Sequence, residues 1–149
     1  MTKKKKPRVA IIKSKFNLEV TDGLLKGAKG YLSEHEIAFN ESKQLFLAPG
    51  AYEMPLLAKA LARSKKFDVI VCLGCVIKGD TAHFEFISLG AAVGLQMAML
   101  ETGVPIAFGV LTTYTDEQAI QRSSADSHNK GIEATAAAVE AWIELKKIR

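Results

Sequence analysis

The chain has 149 residues, of which 48% are apolar and 24% are charged, and its formal net charge is +4. This length suits one domain, residues 1–149, and this composition excludes an intrinsically disordered chain. Charged or polar residues interrupt every apolar run, so we expect no membrane-spanning segment. An apolar, strand-like run directly follows the basic start, where a secretory signal would have its apolar core, and we therefore expect a cytoplasmic protein.

Four consecutive lysines at positions 3–6 carry most of the positive excess. We expect residues 1–6 to form a flexible, solvated basic arm. A tether to nucleic acid or to a membrane is the alternative for such a run. No basic stripe interleaved with aromatic residues accompanies it, so we expect neither partner.

The first half of the chain predicts two strand–helix units. The run at 8–14 is short, apolar and β-branched, as in an inner parallel strand, and apolar residues at helical spacing follow it over 18–34. A second strand is expected at 43–48. Pro55 then falls in the first turn of a helix that ends near residue 63, a position where its missing N–H is tolerated.

The second half continues the alternation. The most apolar run, 67–77, predicts a central strand, and a helix follows over about 81–101. A fourth strand is expected at 104–112. A capping-box pattern then predicts a short helix over 115–122, and a last helix covers about 129–147. In this last helix we expect one buried apolar stripe, formed by Ile132, Ala136, Val139 and Ile143.

Four strands that alternate with helices predict an α/β fold of the flavodoxin-like type. This is a three-layer sandwich in which helices cover both faces of a four-stranded parallel sheet. Ligands of such sheets collect at the carboxyl ends of the strands. The segments after the four predicted strands are therefore candidates for one binding rim, namely 16–17, 49–53, 78–83 and 112–115, the last of which leads on to Arg122.

The two cysteines, Cys72 and Cys75, have the Cys-x-x-Cys spacing that is also found in zinc sites and redox enzymes. Both lie in a predicted strand, where residues three apart point to opposite faces. We therefore expect two buried thiols that share neither a metal nor a disulfide. No clustered metal ligands occur elsewhere, so we expect no metal site.

His83 follows Gly79, Asp80 and Thr81, which we expect to open a helix. The free N–H groups of such a helix start form a weak anion site, and its positive end favours a neutral imidazole suited to proton transfer. Asp80 would repel a phosphate, so it should cap the helix or point away, while Arg122 could offset its charge. A purely structural histidine is the alternative.

Five motifs make the sequence specific: FN after the first strand, APGAYEMP, GCVIKGDTAHFEFI, PIAFGVLTTYTDEQAIQR and NKGIEA. In this order and spacing, from about Pro7 to the C-terminus, they resemble the lumazine synthase family. The resemblance implies condensation of 5-amino-6-(D-ribitylamino)uracil with 3,4-dihydroxy-2-butanone 4-phosphate to 6,7-dimethyl-8-ribityllumazine, the penultimate step of riboflavin biosynthesis. It implies no metal and no organic cofactor.

The resemblance also implies roles for individual residues. Phe16 stacks on the pyrimidine ring, Glu53 accepts from ribityl hydroxyls and His83 transfers protons. Without the resemblance, the aromatic residues would be ordinary core residues and the charged ones solvated surface groups. The other residues implied for the aminouracil are Asn17, Ala51, Tyr52, Val76 and Ile77. Those implied for the phosphate are Gly79, Asp80, Thr81 and Arg122. The neighbouring subunit is implied to supply Arg122 and three further substrate-binding residues, Phe108, Lys130 and Glu133.

The implied assembly is a homopentamer with active sites at subunit interfaces, and some family members close sixty subunits into a shell. The segment 123–128, SSADSH, lacks the glycines that shell-forming members often carry there, so we expect the pentamer alone. The resemblance also raises riboflavin synthase as a partner.

Two other functions remain to be separated from this one. An archaeal-type riboflavin synthase shares the fold, but it uses no phosphorylated substrate, so the combination of His83 and Arg122 argues against it. A non-catalytic flavin- or lumazine-binding or shell protein is the second alternative, and His83 together with Lys130 argues against that.

Overall fold

Strands alternate with helices along residues 4–149, the part of the chain that the computed structural model describes. The strands are β1 (Val9–Ser14), β2 (Leu45–Ala48), β3 (Val69–Ile77) and β4 (Ile106–Thr113). The helices are α1 (Leu18–Glu34), α2 (Glu41–Gln44), α3 (Met54–Arg63), α4 (His83–Thr102), α5 (Asp116–Ser123) and α6 (Lys130–Ile148), with a 3₁₀ turn at Ala51–Glu53.

All strand pairs are parallel, and the strand order is β2-β1-β3-β4. In this register Cys72 of β3 lies between Ile12 of β1 and Phe108 of β4. The predicted flavodoxin-like α/β sandwich is therefore confirmed. The chain leaves β1 towards β2 on one side and later returns to β3 on the other, which opens a crevice at the carboxyl ends of β1 and β3.

Two hydrophobic cores lie on the two faces of the sheet. Along β1, Val9 and Ile11 pack against α1 and α6, whereas Ala10 and Ile12 face α3 and α4. All four of these side chains are fully buried, as period-two alternation between two covered faces requires. Each buried valine or isoleucine contributes about 1.5–3 kcal/mol to folding relative to an exposed one.

The sequence prediction placed the start of the second strand too early. Residues 41–44 form the single-turn helix α2, and β2 begins only at Leu45. The Asn40 side chain caps this turn by accepting from the N–H of Ser42 at 3.0 Å. In addition, the Gln44 amide donates to the carbonyl of Val9 at 2.8 Å, a contact 35 residues away in sequence. A tertiary contact therefore stabilises a turn that local propensity alone does not indicate.

The predicted stripe on the last helix was also wrong. Val139 is buried, but Ile143 is 44% exposed and Ile132 is only partly covered. The buried face carries smaller side chains, including Ala134, Ala138 and Thr135. These residues let α6 lie close to the sheet, so the size of the side chain, rather than its hydrophobicity, selects the face.

Helix α4 exposes more large apolar side chains than any other helix described in the structure. Five of them share one face at spacings of three and four residues: Phe86, Leu89, Val93, Met97 and Leu100, each about half exposed or more. The helix is long and apolar enough to cross a membrane by length and composition alone, which corrects the expectation that no segment has that character. An exposed apolar stripe on a folded α/β domain is equally the mark of a surface that another protein covers.

The flank of α4 beside this stripe packs closely on the segment after β2. A Cβ atom at Gly90 would lie 3.2 Å from the ring of Tyr52, and one at Gly94 would lie 2.7 Å from Pro55. A side chain at Gly94 would displace Pro55, and one at Gly90 would press on the ring of Tyr52. The glycines therefore bring the 3₁₀ turn and the start of α3 against the helix.

Of the predicted arm, residues 1–3 lie outside the described part of the chain. Residues 4–6 are exposed, and Lys6 donates from Nζ to the carbonyl of His35 at 2.9 Å.

Two glycines on α1 give a matched stability test. A Cβ at Gly23 would lie 2.3 Å from the carbonyl oxygen of Ser123, whereas a Cβ at Gly30 meets no atom within 4 Å. Gly30→Ala should raise the free energy of unfolding by about 0.5–1 kcal/mol, because alanine loses less backbone entropy than glycine in a helix. Gly23→Ala should lower it by about 1–3 kcal/mol through overpacking. Urea unfolding at one protein concentration measures both, and equal shifts of the same sign would contradict the packing of α1 on α5.

Candidate active site

The corner after β1 places an aromatic ring at the crevice. Asn17 precedes α1 in a left-handed conformation with φ 53°. Its side-chain amide donates to the carbonyl of Cys75 at 3.0 Å and so ties the ends of β1 and β3 together. Phe16 is left 65% exposed beside this bridge. An aromatic ring that is held in water at a strand end is available to stack on a flat ligand.

A first cavity, of about 440 Å³, opens at this point between β1 and β3. It is lined by the ends of both strands, by the 3₁₀ turn and by the first residues of α4. Eight residues predicted for the site lie around it: Phe16, Asn17, Ala51, Tyr52, Glu53, Val76, Ile77 and His83. The structure thus brings together the residues that the resemblance assigns to the aminouracil and to proton transfer.

A second cavity, of about 750 Å³, lies beside the edge strand β4 and the ends of α5 and α6. Four further residues predicted for the site line this second cavity: Phe108, Arg122, Lys130 and Glu133. No residue that lines the second cavity also lines the first. Within one subunit the predicted site is therefore split into two half-sites, which we call the stacking half and the phosphate half.

The loop between β3 and α4 contains Gly79, Asp80 and Thr81, and all three residues are exposed. The helix begins at His83 rather than at Thr81, so the histidine is the first helical residue and not the third. Thr81 bends the loop into the helix, because its hydroxyl accepts from the N–H of His83 at 3.3 Å. Ala82 is the N-cap residue without a side-chain capping bond, so the first of the two alternatives for Asp80, that it caps the helix, is excluded.

The phosphate half carries two cations. The ammonium of Lys130 pairs with the carboxylate of Glu133 at 2.9 Å, and the guanidinium of Arg122 donates to the carbonyl of Gln118 at 3.0 Å. Both contacts lie near the surface, where an ion pair contributes about 1 kcal/mol or less, so an incoming anion can compete for these cations.

The predicted capping pattern fixes the start of the helix that carries Arg122. The Thr115 hydroxyl accepts from the N–H of Gln118 at 3.1 Å. In return, the Gln118 side chain accepts from the N–H of Tyr114 at 2.9 Å, one residue earlier than in a standard capping box. The sequence therefore located this helix start correctly.

The two cysteines lie on opposite faces of β3, as predicted. Both are buried and unpaired, Cys72 among residues that face α3 and α4 and Cys75 in the core beneath α1 and α6. Burial raises the pKa of Cys72 to about 12, and burial together with the charge of Asp116 raises that of Cys75 to about 11. Neither is a reactive thiolate at neutral pH. Across residues 4–149 no cluster of His, Cys, Asp or Glu could hold a metal ion.

The sequence prediction covered part of the second cavity. Thr112 and Thr113, which belong to the rim segment predicted after the fourth strand, line it alongside Arg122, whereas His128 also lines it and was not predicted. Asn129 was missed altogether as a functional candidate, although an asparagine directly before a helix is a strong capping signal.

Comparison with known proteins gives one consistent result. The family described as 6,7-dimethyl-8-ribityllumazine synthase matches residues 6–146. The chain is 55% identical over 149 residues to a Caulobacter vibrioides protein named 6,7-dimethyl-8-ribityllumazine synthase 1, which covers all of this chain and 97% of that protein. Deinococcus deserti and Deinococcus radiodurans proteins named 6,7-dimethyl-8-ribityllumazine synthase are 48% and 45% identical over 141 residues, which is 95% of this chain and 90% of each relative. These matches span both half-sites, and the chain therefore belongs to the 6,7-dimethyl-8-ribityllumazine synthase family.

Proposed function

We propose that this chain is a transferase that condenses 5-amino-6-(D-ribitylamino)uracil with 3,4-dihydroxy-2-butanone 4-phosphate. The products are 6,7-dimethyl-8-ribityllumazine, phosphate and water. The family match over residues 6–146 carries this proposal, because it spans every residue of the two half-sites. The chemistry needs an amine, a carbonyl and moving protons, and it requires no metal or organic cofactor.

The stacking half is proposed to bind the aminouracil. The exposed ring of Phe16 offers a flat apolar surface to the pyrimidine, and the carboxylate of Glu53 can accept from ribityl hydroxyls. Val76 and Ile77 end β3 at the cavity wall. Both are still paired with β4 but lie past the end of the ladder with β1, so backbone groups on the β1 side can pair with the uracil edge. Asn17 contributes by holding the strand ends together rather than by a free amide.

His83 is proposed to move protons during the condensation. Its position as the first residue of α4 places the imidazole beside the stacking half and next to the loop 79–81. The amine of the aminouracil attacks the ketone carbonyl and loses water to give a Schiff base. Proton removal from the adjacent carbon then expels phosphate, and ring closure releases a second water. An exposed imidazole can take up and return the proton in these steps.

The phosphate half is proposed to act on the neighbouring subunit's substrate. Backbone N–H groups of loop 79–81 hold one side of the phosphate, and Arg122 and Lys130 of the adjacent copy hold the other. A positive cluster stabilises the departing phosphate and offsets the charge of Asp80. The division of the predicted residues into two separate cavities within one chain supports a site that only an oligomer completes.

The apolar stripe on α4 supports self-association. A row of five exposed large apolar side chains is costly in water and is typical of a surface that is buried in an oligomer. We propose the homopentamer, without further closure into a shell of sixty subunits, and a cytoplasmic location. Riboflavin synthase, which would consume the product, is the proposed further partner.

The function is tested directly with the purified oligomer. The two substrates are mixed, and lumazine fluorescence and phosphate release are followed together. We expect both signals to rise at equal rates and well above the spontaneous condensation. A protein that binds lumazine without accelerating its formation would instead be a carrier, and one that converts two lumazines to riboflavin would be a riboflavin synthase.

His83→Ala should slow turnover by about tenfold to a hundredfold, because positioning supplies much of the rate and the condensation also proceeds without a catalyst. His35→Ala is a control for the loss of an exposed imidazole outside both half-sites. Single-turnover fluorescence measures both variants. A wild-type rate in His83→Ala would remove this residue from the mechanism.

Arg122→Ala should raise the KM for the butanone phosphate by about tenfold to a hundredfold and leave the KM for the aminouracil nearly unchanged. The reason is the loss of a charge-assisted hydrogen bond, which contributes about 1.5–3 kcal/mol. Arg63→Ala, an exposed arginine at the opposite end of the sheet, should change neither value. Steady-state kinetics with each substrate varied in turn gives both constants.

Mixed oligomers test whether the half-sites belong to different subunits. Co-expression of His83→Ala with Arg122→Ala should restore wild-type activity at about one quarter of the interfaces, since random mixing pairs two intact halves that often. A mixture no more active than the average of the two variants would place both residues in one subunit's site. Light scattering on the same mixture should give five times the mass of the chain, and a sixty-fold mass would contradict the isolated pentamer.

A further inference from the structure

Asn129 connects three separate segments from inside the protein. It is only 2% exposed. Its side-chain amide donates to the carbonyl of Gly23 on α1 at 3.1 Å and to that of Ser124, just after α5, at 2.9 Å. Its side-chain oxygen accepts from the N–H of Gly131 on α6 at 2.8 Å. Three of the four hydrogen bonds that an asparagine side chain can form are therefore made, each to the backbone of a different element.

The surrounding backbone is shaped to receive this side chain. A Cβ atom at Gly27 of α1 would lie 2.2 Å from the side-chain oxygen of Asn129, so only a glycine fits there. Nearby, Ser123 is buried and its hydroxyl donates to the carbonyl of Ala119, which closes the end of α5. A buried polar side chain with all these partners is costly to disturb, because each orphaned group costs about 1–3 kcal/mol.

The three bonds fix the parts of the chain that carry the phosphate half. Arg122 lies two residues before Ser124, and Lys130 follows Asn129 directly as the first residue of α6. Asn129 itself does not line the cavity that contains Arg122 and Lys130. It lies behind the wall of that cavity and therefore has no contact with a ligand there.

We infer that Asn129 is a positioning residue that sets the spacing of Arg122 and Lys130 for the phosphate group of the substrate. This inference rests on the proposed phosphate role of those two cations. An amide is needed here, because two of its bonds donate to carbonyls and one accepts from an N–H. Aspartate has the same size and keeps the capping bond, but it places a second acceptor against the carbonyls of Gly23 and Ser124.

Asn129→Asp is the principal test. The KM for the butanone phosphate should rise about tenfold or more, because small displacements of binding groups are costly, while the KM for the aminouracil should stay within about twofold. A merely structural loss would lower the active fraction and leave both KM values unchanged. Equal KM values in variant and wild type would overturn the inference even though the proposed function stands.

Asn129→Ser is the second variant, because serine keeps a capping oxygen and removes both donations without adding charge. It should show the same split between the two KM values. Asp68→Asn, at the amino end of β3, is the matched control. It removes the ion pair in which Oδ1 of Asp68 lies 3.1 Å from Nη2 of Arg8, and it should change stability but neither KM. A split of similar size in this control would refute a specific role for Asn129.

Titration with inorganic phosphate separates the inference from the proposed function. Calorimetry on the wild-type oligomer should detect binding, and Asn129→Asp should weaken it about tenfold. If the wild type binds phosphate but does not form lumazine, the proposed function fails and this comparison still tests Asn129. Equal phosphate affinity in the two proteins, or no binding to the wild type, would overturn the positioning role.

Discussion

Strand β3 is the constraint on which the rest of the molecule depends. Its backbone must satisfy its hydrogen bonds where water is excluded, and β1 and β4 provide the partners on its two sides. Parallel pairing forces the ends of these strands to the same edge of the sheet. The loop after β3 therefore emerges between the corner after β1 and the segment after β4. Both half-sites follow from this arrangement, since each is built on an end of β3 or of a strand that pairs with it.

The sequence predicted the sheet well because the signals for it are local. The run at 67–77 is apolar throughout, and only a strand covered on both faces accounts for it. The start of α5 was also predictable, because Thr115 and Gln118 form their capping contacts within four residues. Helix α2 was not predictable for the opposite reason: the contact of Gln44 with the carbonyl of Val9 spans 35 residues of chain.

The same distinction between local signals and contacts distant in sequence applies to the candidate site. Residues at strand ends, such as Phe16 and His83, could be proposed from topology and from the motifs. The role of Asn129 depends on Gly23, which is 106 residues away in sequence, and no spacing rule relates the two. The exposed face of α4 could not be predicted from the sequence for another reason. The helix is apolar on nearly all sides, so its sequence does not reveal which side packs inward and which side stays exposed.

Helix α4 gives the protein two adjoining surfaces with unequal freedom to change. A Cβ atom at Gly94 would overlap Pro55, and one at Gly90 would press on the ring of Tyr52, in the segment that lines the stacking half. Evolution can therefore fill these two positions only by shifting the turn that carries Tyr52 and Glu53 at the same time. The apolar stripe beside them is exposed and can vary without moving that turn. A lineage can in this way change the surface of α4 while the stacking half remains the same.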